Sequence, residues 1–175
     1  MFTKNSLVVF LFLAAPVWSQ QQVPAANKGV PFKGNLEGAD VITPIDAQFL
    51  SSLMRGTGDA AHLGRFTVVR TATVNLLTNT DIGSLAFTAA NGDILTADYT
   101  GNASPTATPG VLSIVETAFI SGGTGRFAGA TGSFIVTRSF DLATNLTAGS
   151  FEGTISPARA EHASAGAAGV SKPGI

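Results

Sequence analysis

At 175 residues, the chain fits one domain of ordinary size, for which about 100–200 residues are typical. A formal net charge of −1, with only 12% charged residues, provides no basic surplus for phosphates and argues against nucleic acid as a partner. With no Cys, disulfides, thiolate metal sites and a cysteine nucleophile are excluded.

In chain order, Lys4 precedes an apolar run of 12 residues from Leu7 to Trp18, and Gln20, Gln21 and Gln22 follow. A bilayer span needs roughly 20 apolar residues, so the run reads as the core of a secretory signal. Residues 1–19 are expected to be a signal peptide cleaved near Ser19, with Val17 and Ser19 at the −3 and −1 positions. The mature chain is then secreted, extracellular or periplasmic, and has no membrane span. Residues 20–33 are expected to form a flexible leader. Residues 157–175, rich in Ala, Gly, Ser and Pro, read as a disordered tail.

Between them, 34–156 carries short strand-like runs separated by turn signals: 34–42, 47–55, 65–77, 82–90, 93–101, 110–121, 131–141 and 146–156. No segment sustains a helical period. In 65–77 the even positions are Phe66, Val68, Arg70, Ala72, Val74 and Leu76, against Thr67, Thr71 and Thr73. In 110–121 they are Leu112, Ile114, Glu116, Ala118 and Ile120, and in 131–141 Phe134, Val136, Arg138 and Phe140. Successive side chains point to opposite faces, so each strand has a greasy side and a hydroxyl-rich side.

Aligning the greasy sides predicts a register. Val74 faces Leu85; Phe87 faces Leu95 across a type I turn with a left-handed Gly92; Tyr99 faces Ile114; Glu116 faces Arg138; Val136 faces Phe151. So long a meander leaves bare edges unless it closes, which predicts an all-β, eight-stranded antiparallel up-and-down barrel.

Glu116, Arg138 and Arg70 are charges on otherwise apolar faces, and a charge inside a barrel needs a partner. One reading is an ion pair that only specifies structure. The other takes Glu116 and Arg138 as catalytic candidates, with Arg70, Tyr99, Phe87, Phe134 and Ile114 as ligand-binding candidates. In that reading Glu116 acts as acid or base, and an arginine meets a carboxylate or a developing oxyanion. Ala72, Ala97, Ala118, Gly101, Gly132 and Gly149 on the same face predict room for one small ligand. Two histidines without Cys do not suit zinc, so no metal or cofactor is expected. His62 reads as a turn residue lacking a catalytic partner. Gly123-Thr124-Gly125-Arg126-Phe127-Ala128 and Gly56-Thr57-Gly58-Asp59-Ala60-Ala61 match G-x-G-x-x-A, but a phosphate cradle needs a helix after the turn, and strand-like sequence follows.

The segment Ser121-Gly122-Gly123-Thr124-Gly125-Arg126-Phe127 resembles the GGTGxF segment of plant dirigent proteins and the related GGSG segment of allene oxide cyclases. Together with Ala61-His62-Leu63-Gly64-Arg65-Phe66 it is also similar to secreted bacterial barrels of the allene oxide cyclase type. The resemblance covers 34–156 and implies a calycin-type barrel with an apolar cavity. It leaves three functions open: a binder of a small hydrophobic molecule, a cyclase or isomerase acting on an apolar reactive substrate, or a non-catalytic extracellular module. A solvent-connected cavity of about 300 Å³ lined by Glu116 marks the first two, and a filled lumen marks the third. Val69, Val115, Phe119 and Ile135 are apolar on the outward face, where they are either a homo-oligomer contact or scattered surface hydrophobes.

Overall fold

The computed structural model describes residues 29–156. They form eight strands: β1 (Val30–Pro44), β2 (Phe49–Ala60), β3 (Gly64–Asn75), β4 (Thr80–Ala89), β5 (Ile94–Pro105), β6 (Val111–Gly123), β7 (Thr131–Asp141) and β8 (Leu146–Ser156). Each pairs antiparallel with the next, and β8 returns to β1, so the barrel is closed and has no bare edge. β1 starts at Val30, which corrects the expected leader: residues 30–33 pair with β8. The signal, the rest of the leader and the tail lie outside the described residues.

The period-two pattern decides what faces inward. In β7, Phe134, Val136, Arg138 and Phe140 are buried while Thr131, Ile135, Thr137 and Ser139 are exposed. Repeated round the barrel, this stacks the interior in layers along its axis. One end is filled by Phe32, Phe66, Phe87, Phe134 and Phe151, whose neighbouring rings lie 5.0–6.2 Å apart. The one-turn 3₁₀ helix Gly125–Phe127 seals this end with Phe127, and the Arg126 guanidinium donates to the Leu63 carbonyl at 3.1 Å. Both G-x-G-x-x-A matches are therefore structural. One runs along the end of β2 into the following turn, and the other makes the plug, where a Cβ on Gly125 would overlap the Asp93 carboxylate. His62, with φ of +67°, is exposed in the β2–β3 turn at this sealed end.

Two of the expected registers stand: Phe87 faces Leu95 and Val136 faces Phe151. Gly92 has φ of +88°, and its N–H donates to the Ala89 carbonyl at 2.9 Å. Three registers differ by an even slip. Leu85 faces Arg70, Tyr99 faces Ala118 with an irregularity at Thr96/Ala97, and Glu116 faces Val136, not Arg138. An even slip keeps every side chain on its own face, so hydrophobic patterning cannot detect it. Local turn chemistry sets the choice instead. Between β3 and β4, the Asn75 side-chain oxygen accepts from the Leu77 N–H at 3.0 Å and Asn79 takes φ of +53°.

Several inward small residues do not leave open space. A Cβ on Gly101 would overlap the Asp81 carboxylate and lie 2.8 Å from Glu116 Cγ; a Cβ on Gly149 would overlap the Thr137 carbonyl of β7. At Gly83 a Cβ would overlap the Thr71 carbonyl oxygen and lie 2.8 Å from Tyr99 Oη, the same pair joined by a 3.1 Å hydrogen bond. Backbone cannot yield as a flexible side chain can, so Gly83→Ala is expected to lower stability by about 1–3 kcal/mol, the usual cost of overpacking, read from its urea midpoint.

Candidate functional site

The waist of the barrel, above the phenylalanines, is polar. Asp40 and Ser52 come from β1 and β2, Arg70 from β3, Asp81 from β4, Tyr99 from β5, Glu116 from β6, Arg138 from β7 and Thr147 from β8. All are buried, because each holds an inward position of its strand. Asp81, Gly101 and Glu116 face one another in a row across β4, β5 and β6, and the glycine makes room for the two carboxylates.

Glu116 is the hub. Its Oε1 accepts from Arg70 Nε at 2.9 Å and from Arg138 Nη2 at 2.9 Å, and its Oε2 accepts from Arg138 Nε at 3.3 Å. Arg70 also donates through Nη2 to Asp81 Oδ2 and through Nη1 to Ser52 Oγ at 3.2 Å. The Ser52 hydroxyl donates to Asp40 Oδ1. Arg138 Nη1 donates to Thr147 Oγ1 at 3.0 Å, and that hydroxyl passes its own hydrogen to the Ser139 carbonyl at 2.7 Å. Arg70 also lies over the Tyr99 ring, 5.0 Å from its centroid.

Burial and charge pull on these groups in opposite directions. Burial disfavours the Glu116 carboxylate, but the fields and hydrogen bonds of Arg138 and Arg70 outweigh it and hold this carboxyl below its ordinary value. At Asp81 burial wins: with Glu116 adding to it and Arg70 opposing, the carboxyl sits above its ordinary value. Burial likewise pushes the Tyr99 hydroxyl up, well beyond its ordinary range.

Above this layer the barrel opens into a cavity of about 260 Å³. Its floor includes Asp40, Ser52, Arg70, Asp81 and Arg138, and its wall Ile42, Leu50, Val74, Leu112, Ile114 and Phe140. Leu76 and Leu142 form part of the rim, 47% and 56% exposed. Larger grooves of about 670 and 540 Å³ run over the outer wall and touch one member of the cluster each, Thr147 and Tyr99, but neither reaches Arg70, Glu116 or Arg138.

The structure thus gathers Glu116, Arg138, Arg70 and Tyr99 into one network and puts Ile114 in the cavity wall. Glu116 and Tyr99 lie beneath the cavity floor and do not line it. Phe87 and Phe134, expected on the ligand, are corrected: their rings pack 6.0 Å apart in the sealed end, the other side of the charged layer. Arg138 reaches Glu116 diagonally from its place opposite Ile114.

The sequence reading missed Asp40, Asp81, Ser52 and Thr147. For Asp81 the signal was present. The inward parity of Leu85, Phe87 and Ala89, carried back four residues, lands on Asp81, just ahead of the expected run 82–90.

No protein-family model matches the chain, and no curated protein matches it. Among solved structures, a pterocarpan synthase dirigent protein is similar over 86% of this chain and 99% of that one, at 14% identity and a TM-score of 0.47.

Proposed function

We propose that this is a secreted barrel of the allene oxide cyclase and dirigent kind that holds one small, largely apolar molecule in its open mouth. The observation that carries the reading is the 260 Å³ cavity, walled by aliphatic side chains over a charged, hydrogen-bonded floor. Ligand sites combine an apolar lining with a few convergent polar groups, and drug-sized ligands need about 300–1,000 Å³, so the occupant is smaller than those. Export is supported by Lys4 and the apolar run from Leu7 to Trp18. The family is supported by Gly123-Thr124-Gly125-Arg126-Phe127, which plugs one end of the barrel. The acid or base role expected of Glu116 is not part of this reading, because Glu116 does not line the cavity.

The phenylalanine-filled end favours a second reading, a structural module whose mouth is merely a dimple. Native mass spectrometry of protein secreted by its own host separates the two. A retained small molecule, lost on denaturation and absent from Leu112→Trp, is the expected result; Leu112 lines the wall, and an indole there fills the mouth. Wild-type protein that is bare and binds no small apolar probe overturns the ligand reading and leaves the structural one.

A further inference from the structure

The unmet demand of the cavity floor can be read from its hydrogen bonds. Each nitrogen of Arg70 and of Arg138 already donates to a protein acceptor: Glu116, Asp81 and Ser52 for the first, Glu116 and Thr147 for the second. Both hydroxyls that accept from these guanidiniums pass their own hydrogens on, Ser52 to Asp40 and Thr147 to the Ser139 carbonyl. Each Nη keeps a second hydrogen, but the buried side-chain polar atom left with no partner at all is an acceptor. Asp40 lines the cavity with its side chain 2% exposed, and its Oδ2 is the one buried side-chain polar atom without a hydrogen-bond partner among the described residues. Leaving such an atom unpaired costs roughly 1–3 kcal/mol, more for a charged group, so a partner there is strongly favoured.

The charges agree. Two guanidiniums stand against three carboxylates, Asp40, Asp81 and Glu116, leaving one negative charge in excess under an apolar wall. The two arginines look like an anion site in the sequence, but their charge is already spent on protein carboxylates.

We propose that the mouth takes a small aliphatic molecule headed by a primary ammonium group, the head donating to Asp40 Oδ2 and the tail lying along Ile42, Leu50 and Leu112. The proposal rests on the mouth being a ligand site. An ammonium supplies donors and a positive charge together, whereas a carboxylate would bring a fourth anion and no donor.

The test is calorimetric titration of the full chain at neutral pH with three probes of equal tail: octylamine, octan-1-ol and octanoate. Octylamine is expected to bind at least tenfold tighter than octan-1-ol, with octanoate weakest. In Asp40→Asn the amide oxygen stays turned to the Ser52 hydroxyl, so its NH₂ replaces Oδ2 and the floor now presents a donor. Octylamine should lose at least tenfold there and octanoate should gain. Octanoate or octan-1-ol binding wild type as tightly as octylamine overturns the ammonium assignment while leaving a ligand site. An Asp40→Asn protein that keeps the wild-type order overturns the seat at Asp40. If none of the three probes binds wild type, the ligand reading itself falls, and this inference with it. The wild-type series decides the head group even if the variant does not fold.

Discussion

Arg70→Met is expected to cost about 3–5 kcal/mol of folding stability at neutral pH, and less near pH 4 than near pH 7. Removing one partner of a buried ion cluster leaves uncompensated charge, which costs that much where a hydrophobic replacement of the whole cluster would not. Arg70 is the largest fully buried side chain and faces Glu116, Asp81 and Asp40 together. Without it one guanidinium stands against three carboxylates.

The pH dependence follows by linkage. In wild type, Glu116 is held below its ordinary value, so its contribution is present above about pH 4.5 and is lost as pH falls through its folded value. Asp81 is raised, so its contribution is present below about pH 3.8 and is lost as pH rises through its folded value. The two slopes oppose each other. Deleting Arg70 removes an attractive field from both carboxyls and moves both folded values upward. The folded variant then holds more protons than folded wild type, so the stability it loses relative to wild type grows as pH rises. Urea unfolding of both proteins at the two pH values measures this, and a variant with wild-type slope shows that Arg70 is not the countercharge.

Glu116→Gln makes a useful contrast. It leaves two guanidiniums against two carboxylates, so it should be the milder change although Glu116 is the most enclosed member of the cluster.

That cluster also shows how far the amino-acid pattern reaches. Alternation in β3, β6 and β7 is enough to put Arg70, Glu116 and Arg138 inside one barrel, because parity survives any even slip of register. It could not say which residues touch. Aligned greasy faces put Glu116 directly across from Arg138, yet it sits opposite Val136, and the bond forms only because an arginine is long enough to reach along the strand. Nor could alternation find Asp40. In β1, Gly34 and Gly38 alternate inward with Leu36 and Asp40, so the strand lacks the run of large apolar residues that marks an inward face. The cavity was equally hidden. Ala and Gly at inward positions predicted room for one small ligand, but the glycines at 101 and 149 sit where a neighbouring backbone or carboxylate already fills the volume. Composition reports that a side chain is small; only the register reports what occupies the gap.

Phe151→Ala is expected to cost about 3–5 kcal/mol and yet leave affinity at the mouth unchanged wherever the variant is folded. Phe151 is 2% exposed, and its ring meets those of Phe32, Phe66, Phe87 and Phe134 at centroid separations of 5.0, 6.2, 5.7 and 5.5 Å. Truncation removes the ring from four aromatic contacts at once. The closed barrel cannot collapse into the gap without bending strands hydrogen-bonded on both sides, so the cost should lie high in the range for a buried aromatic. Between this ring and the mouth stands the Arg70–Glu116–Arg138 network, whose hydrogen bonds all run within the waist or to β7 backbone, and none of them involves the phenylalanines. On the proposed reading, stability comes largely from one end and recognition from the other. The measurement is a pair: the urea midpoint of Phe151→Ala, and its octylamine affinity at a temperature where it is fully folded. An intact midpoint would mean that the sealed end is not the principal core. A lost affinity in folded protein would mean that the charged floor depends on the aromatic layer beneath it, and that the two ends act as one unit.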